Sequence, residues 1–170
     1  MRAVIFDLDQ TLIDSSSSEH LRKARNWQAV YGKIPGFIYY PGMQEVMKEI
    51  KAMGLAICII TTSPGSYAKK VLAHFDIPYD HLIDFFGVKQ RKPHPESFHL
   101  GMQLLQCDAN AILSFGDREI DILASKAAGV ASVACRWGSA ELDALERCAA
   151  DYYIDNPSEI IDLINRKLIV

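Results

Sequence analysis

The sequence predicts a single α/β domain in three layers, with a mostly parallel sheet covered by helices on both faces. Three observations predict it. Short apolar runs alternate with amphipathic segments nearly to the C-terminus. The 170 residues suit one domain with a sizeable core and leave little room for two. No internal repeat and no long polar linker divides the chain.

The elements follow in order. "AVIF" (3–6) is apolar throughout and reads as a buried strand. "EHLRKARNWQAVYG" reads as a helix with Ser18 as N-cap and Gly32 as its stop. In "GMQEVMKEIKAMG", Met43, Val46, Met47 and Ile50 recur at helical spacing and Gly54 ends the segment. "LAICII" (55–60) is a second buried strand. "SPGSYAKKVLAHF" begins a helix, with Ser63 as N-cap and Pro64 at the first helical position. "LIDFF" (82–86) reads as a strand, "PESFHLGMQLLQ" (95–106) as a helix and "AILSFG" (111–116) as a strand. "REIDILASKAAG" is a helix closed by Gly129, and "VASVAC" (130–135) is the next strand. "SAELDALERCAA" starts a helix at Ser139, "YYI" is a last short strand, and "NPSEIIDLINRK" opens a final helix at Asn156 and Pro157. "SSSS" (15–18) is the one low-complexity stretch and reads as a flexible entry to the first helix.

Composition narrows the function classes. Hydrophobic residues at 49% and charged residues at 23% are ordinary for a soluble globular protein. A formal net charge of −3 argues against a general nucleic-acid binder, while leaving room for a local basic patch. No apolar run approaches the roughly 18 residues of a membrane span, and the start "MRAVIFDLD" is charged too early for a secretory signal. The expected location is the cytoplasm. Cys58, Cys107, Cys135 and Cys148 show no zinc-ligand spacing, and Cys58 and Cys135 read as small core side chains.

In an open parallel sheet, ligands bind beyond the carboxyl ends of the strands. Asp7 and Asp9 follow the first strand, and Thr61, Thr62 and Ser63 follow the second. Asp117 follows "AILSFG" with Asp121 four residues on, and "RKPHP" brings Lys92 before a helix. All would meet at one sheet edge. Two like charges about 4 Å apart repel by roughly 4 kcal/mol at an effective dielectric near 20. Such a cluster needs a cation, protonation or both, and oxygen ligands without His or Cys favour Mg2+. A divalent ion beside Lys92 suits a phosphoryl group, and the Thr61–Ser63 hydroxyls and N–H groups at a helix N-terminus would add donors.

"DLDQT" (7–11), Thr61 ending a strand, Lys92 in "KPHP", and "GDREID" (116–121) resemble, in order, the four motifs of the haloacid dehalogenase superfamily. "PGMQEVMKEIKAMG" and "GDREIDILASKAAGV" resemble its phosphatase branch. The likeness runs from residue 1 to about 165, except for 15–40. It implies a Rossmann-like domain acting as a Mg2+-dependent phosphomonoesterase. By that resemblance Asp7 is the nucleophile and forms an aspartyl-phosphate, and Asp9 is the general acid and then the base. Thr61, with Thr62, binds the phosphate, and Lys92 bridges Asp7 and the phosphoryl group. Asp7, the Asp9 carbonyl and Asp117 would hold the metal, with Asp121 supporting them from behind. Members that break carbon–halogen bonds lack an acid where Asp9 stands, which disfavours dehalogenation.

Many relatives of that branch carry a large helical cap between the first motif and the "PGM" segment. Residues 15–40 leave room only for a short helical segment and a connector, a rudimentary cap at most. The site then either stays open to a phosphate on something large, or a neighbouring copy in a homo-oligomer covers it. Arg22, Lys23 and Arg25 could guide a polyanion with Trp27 and Tyr31 stacking. The plainer expectation packs Leu21, Trp27 and Val30 on the core with the charges outward. Arg136 and Trp137 should face the site edge, Trp137 either as a substrate wall or as a packed aromatic. His94 reads as a variable loop residue. "IPGFIYYPG" (34–42) is rich in aromatics for a loop and could be an interface. A phosphomutase keeps the same residues but must exclude water, and a non-catalytic phosphate-binding module keeps the motifs without turnover.

Overall fold

The structure is a computed structural model and describes residues 2–168. Strand β1 (Ala3–Phe6) leads into a tight loop and the short β2 (Ile13–Asp14), followed by α1 (Glu19–Lys23), α2 (Trp27–Lys33) and β3 (Ile38–Tyr39). Then come α3 (Met43–Ala52), β4 (Ala56–Ile60), α4 (Gly65–His74), β5 (His81–Ile83) and α5 (Glu96–Leu105). The chain continues through β6 (Ile112–Gly116), α6 (Glu119–Ala127), β7 (Ala131–Cys135), α7 (Leu142–Arg147), β8 (Tyr152–Ile154) and α8 (Glu159–Leu168). Six strands form a parallel sheet in the order β5-β4-β1-β6-β7-β8, and β2 and β3 form a separate antiparallel ribbon.

Alternation along each central strand makes the three layers. Val4 and Phe6 of β1, Ile57 and Ile59 of β4, and Leu113 and Phe115 of β6 face one side. There they meet Met43, Met47 and Ile50 of α3, Tyr67 and Val71 of α4, and Ile160 and Ile164 of α8. Ala3, Ile5, Cys58, Ile60 and Ile112 face the other side, under Phe98 of α5 and Ala124 of α6. Phe6 and Phe115 stack across neighbouring strands with centroids 4.7 Å apart. A strand buried on both faces has to be apolar at every position, which is why "AVIF" and "ICII" carry no alternation. All four cysteines are free thiols, and Cys58, Cys135 and Cys148 are buried. Among the described residues, no helix is long and apolar enough to cross a membrane.

Several boundaries differ from the sequence reading for physical reasons. The helix expected over 19–32 is two short helices. Arg25 adopts a left-handed φ of 55° after α1, and the Asn26 side chain accepts from the Ala29 N–H to start α2. Helix α4 starts at Gly65, and the Ser63 hydroxyl bonds Asp9 instead of capping it. The strand expected over 82–86 ends at Ile83, where the Asp84 carboxylate accepts from the Phe86 and Gly87 N–H groups and turns the chain. Helix α7 starts at Leu142, and the Ser139 hydroxyl serves a turn by accepting from the Glu141 N–H. Helix α8 starts at Glu159, whose carboxylate accepts from the Asp155 and Asn156 N–H groups. The aromatics of 34–42 are not an open surface. Phe37 is buried, and Tyr39 and Tyr40 pack on the core; Ile38 is the exposed apolar residue of this stretch.

The loop after β1 is fixed from below. Trp137 donates from Nε1 to the Thr11 carbonyl at 3.1 Å and packs edge-on against Tyr40, so it is a packed aromatic and no substrate wall. Gly138 lies directly under Gln10: a Cβ built there would stand 1.8 Å from the Gln10 carbonyl oxygen. A backbone atom cannot step aside as a side chain tip can. Gly138→Ala should therefore cost about 1–3 kcal/mol, read as a lower urea midpoint with an unchanged m-value.

Candidate active site

The carboxyl ends of β1, β4 and β6 converge on one cavity of about 580 Å³. Asp7 continues β1, its N–H donating to the Phe115 carbonyl at 2.9 Å, and Asp117 directly follows β6. Thr61 directly follows β4, held by its N–H on the Ile83 carbonyl. Asp121 stands on the first turn of α6, close over Gly116, where a Cβ would lie 2.4 Å from that of Asp121. Glycine at 116 is thus a space requirement that lets α6 approach the strand end.

Lys92 is buried among these groups. Its Nζ donates to Asp7 Oδ1 at 2.6 Å, to Asp121 Oδ1 at 2.5 Å and to the Ile60 carbonyl at 2.9 Å, which uses all three ammonium hydrogens. Burial opposes its charge, but the Asp121 and Asp7 carboxylates outweigh burial and raise its pKa above the ordinary lysine value. Asp121 Oδ2 accepts from the Arg118 N–H at 3.1 Å, so both its oxygens are engaged.

Carboxylate oxygens of Asp7, Asp117 and Asp121 lie within 4.8 Å of one another, all three residues buried. One ammonium does not balance three carboxylates. Burial raises Asp7 from 3.8 to about 7, with Lys92 pulling down and Asp121 pushing up. Burial also holds Asp117 well above 3.8, with repulsion from Asp121 and Asp7 adding to it, although Thr11 Oγ1 donates to its Oδ1 at 2.9 Å. Among the described residues no side chain or N–H donates to Asp7 Oδ2 or Asp117 Oδ2. An all-oxygen set with excess negative charge and two open oxygens fits a hard divalent cation.

Asp9 is held apart from that trio by its own donors. Its Oδ1 accepts from Ser15 Oγ and Tyr67 OH, each at 2.6 Å, and its Oδ2 accepts from Ser63 Oγ at 2.8 Å. Arg22 Nη1 completes the group at 3.1 Å from Oδ2. Burial and the Asp9 charge both raise the pKa of Tyr67, so its hydroxyl stays a donor. Thr61 Oγ1 accepts from the Ser63 N–H at 3.0 Å, which leaves its own proton for a ligand, and Thr62 also lines the cavity.

The structure thus brings Asp7, Asp9, Thr61, Thr62, Lys92, Asp117 and Asp121 together on one cavity. Others fall outside the cavity wall. Arg136 pairs with Glu146 at 2.6 Å and Asp155 at 3.4 Å and stacks on Tyr153. His94 is exposed and accepts from the Glu96 N–H. The charges of the α1–α2 segment do not all point outward, because Arg22, Lys23 and Arg25 line the cavity together with Trp27. Tyr31 instead bonds Ser66 and lies under Lys70. Sequence reasoning did not find Thr11, Ser15 or Tyr67. Tyr67 carried one signal: it is the hydroxyl-bearing residue on the buried face of α4, four residues after Ser63.

Comparison with known proteins agrees with this architecture. The family model for haloacid dehalogenase-like hydrolases matches residues 17–135, and the chain belongs to that family. Asp7 and Asp9 precede the matched span, so their place in the site rests on geometry. The chain is 27% identical over 128 residues to a phosphoglycolate phosphatase of Vibrio vulnificus (strain CMCP6), covering 74% of this chain and 56% of that protein. It is 29% identical over 129 residues to the pyrophosphatase PpaX of Bacillus mycoides (strain KBAB4), covering 75% and 60%. It therefore spans little more than half the length of these curated relatives. A crystal structure of a predicted phosphoglycolate phosphatase from Haemophilus somnus 129pt shares the fold, with a TM-score of 0.85 at 20% identity over 96% of this chain and 98% of that one.

The crowding of carboxylates has a measurable cost in the metal-free protein. Raised folded-state values for Asp7 and Asp117 mean that the folded chain binds protons more tightly than the unfolded one between pH 4 and the raised value. Stability is then lost as pH rises through that window. In EDTA at pH 8, Asp117→Asn should unfold at higher urea than the parent, and the gain should shrink at pH 5. A variant less stable than the parent at pH 8 would contradict this electrostatic account.

Proposed function

We propose that the protein is a Mg2+-dependent phosphatase that hydrolyses a phosphate monoester through an aspartyl-phosphate on Asp7. The observation that carries this reading is the buried Lys92 ammonium, 2.6 Å from Asp7 Oδ1, beside a carboxylate trio open at Asp7 Oδ2 and Asp117 Oδ2. The family membership and the phosphatase names of the relatives support it.

Mg2+ held by Asp7, the Asp9 carbonyl and Asp117 would offset charge between the phosphoryl oxygens and the carboxylates. Asp121 is better suited to holding Lys92, since both its oxygens are already engaged. The Thr61 hydroxyl binds a phosphoryl oxygen, N–H groups at the start of α4 add donors, and the Lys92 ammonium, its hydrogens already engaged, offsets phosphoryl charge from the cavity floor. Asp7 attacks phosphorus and the bond to the leaving oxygen breaks. Asp9 has to enter the cycle protonated; it then gives that oxygen its proton and regains one from the water that cleaves the aspartyl-phosphate. Delivery of a proton from Asp9 requires release of at least one of its four donors. Ser63 and Tyr67 sit on or beside α4 and Arg22 on α1, so this step involves both sides of the cavity.

The test is release of nitrophenol from an aryl phosphate. The parent should turn over with Mg2+ and stop in EDTA. Asp7→Asn should lose activity by about a thousandfold or more while unfolding cooperatively. Turnover that survives both EDTA and Asp7→Asn would remove the mechanism. Tight phosphate or Mg2+ binding without turnover would favour the non-catalytic reading.

A further inference from the structure

Among the described residues, Phe86 is the most exposed large hydrophobic side chain, at 75%, and it lines the cavity. The turn that carries it gives no reason for a phenyl ring. Asp84 accepts from the Phe86 N–H at 2.8 Å and from the Gly87 N–H at 3.0 Å, and any residue with a backbone N–H would serve at 86. Nor does the ring ride on a loose segment. The Phe85 N–H donates to the Ser63 carbonyl at 3.1 Å. Arg91 Nε donates to the Phe85 carbonyl at 3.0 Å, and its guanidinium lies 3.6 Å from the centroid of the Phe85 ring. The Lys89 and Gln90 N–H groups donate to the Glu96 carboxylate. Phe85 in turn stands edge-on to Phe86, with centroids 5.0 Å apart.

A second aromatic reaches the cavity from another part of the chain. Trp27, at the start of α2, is half-buried and packs on Tyr67 with centroids 5.6 Å apart. Both rings are held through partners of Asp9. Tyr67, beside Trp27, donates to Asp9 Oδ1 at 2.6 Å, and Ser63, tied to Phe85, donates to Asp9 Oδ2 at 2.8 Å. On the phosphatase reading Asp9 meets the oxygen of the leaving group. Whatever that oxygen carries therefore lies beside Asp9, toward these rings.

Ile120 adds apolar surface to the same cavity, and about 580 Å³ has room for a ring next to a phosphoryl group. Rigid aromatic side chains give large contact area and lose little freedom on binding. Against them an aliphatic group gains only the area it buries, while an aromatic group adds stacked or edge-to-face contact. We infer that Phe86 and Trp27 form a leaving-group subsite for an aromatic ring, and that the substrate is a phosphomonoester of an alcohol bearing such a ring. The inference rests on the phosphatase reading for turnover but not for binding.

Matched substrates test it. Benzyl phosphate and ethyl phosphate release alcohols of similar acidity, so they differ chiefly in the ring. The parent should favour benzyl phosphate by about tenfold or more in kcat/KM. Cyclohexylmethyl phosphate has similar bulk without a π face and should fall about threefold or more below benzyl phosphate. Trp27 also supports Tyr67, so the variants are made at Phe86. In Phe86→Ala the benzyl-to-ethyl ratio should fall toward unity, and Phe86→Tyr should keep it. The ratio is taken within each variant, so a general loss of activity cancels. A parent ratio near unity, equal turnover of the benzyl and cyclohexylmethyl esters, or a ratio unchanged in Phe86→Ala overturns the inference; so does a ratio lost equally in Phe86→Tyr. If no phosphomonoester is turned over, calorimetry in Mg2+ with benzylphosphonate and ethylphosphonate reads the subsite alone. A benzyl preference that disappears in Phe86→Ala then upholds the subsite while the phosphatase reading fails. Equal binding of the two phosphonates, or an unchanged preference in the variant, overturns the subsite.

Discussion

The site depends on one buried ammonium group. Lys92 joins three separate parts of the chain: the end of β1 through Asp7, the end of β4 through the Ile60 carbonyl, and the start of α6 through Asp121. Each contact is short and shielded from water, so each is far stronger than a surface pair of the same residues. The lysine also sets the sign of the local field. Without it, three carboxylates would crowd a cavity floor with no positive charge beside them. With it, the floor is still short of positive charge, and that deficit favours a divalent cation and disfavours an empty pocket.

The same reasoning separates the two aspartates of the first loop. Asp7 stays on the sheet ladder and faces the lysine. Asp9 lies two residues on, beside the left-handed Gln10, and its carboxylate is met by Ser15, Ser63, Tyr67 and Arg22. Two identical side chains thereby occupy different electrostatic settings, the condition under which two carboxylates take different chemical roles.

Much of this was legible in the sequence. Uninterrupted apolar runs marked the strands buried on both faces, and the polar residues after those runs marked the edge where Asp7, Thr61 and Asp117 meet. Element ends were less legible, because capping groups were recruited elsewhere: Ser63 serves Asp9, and Ser139 serves a turn. Partners of Asp9 were invisible for a related reason. Ser15 and Tyr67 lie far from each other in the chain, and nothing local separates a hydroxyl that meets a carboxylate from one that meets water. The division of residues 19–32 into two helices turns on one left-handed residue, Arg25, whose type gives no warning of it. Arg136 sits at a strand end as expected, yet nearby acidic side chains draw it away from the cavity.

The β2–β3 ribbon has an evolutionary consequence. It pairs Ile13 with Tyr39 and Asp14 with Ile38, so the excursion over 15–37 leaves and rejoins the domain at one pinned point. Lengthening a loop whose ends are already tied adds little closure entropy, growing only with the logarithm of its length. The sheet and the acidic cluster lie outside that pinned span. This neck is therefore a modular port, where whole folding units can be traded in or out while the chemistry beneath keeps its geometry, provided the newcomer again offers a cation to Asp9.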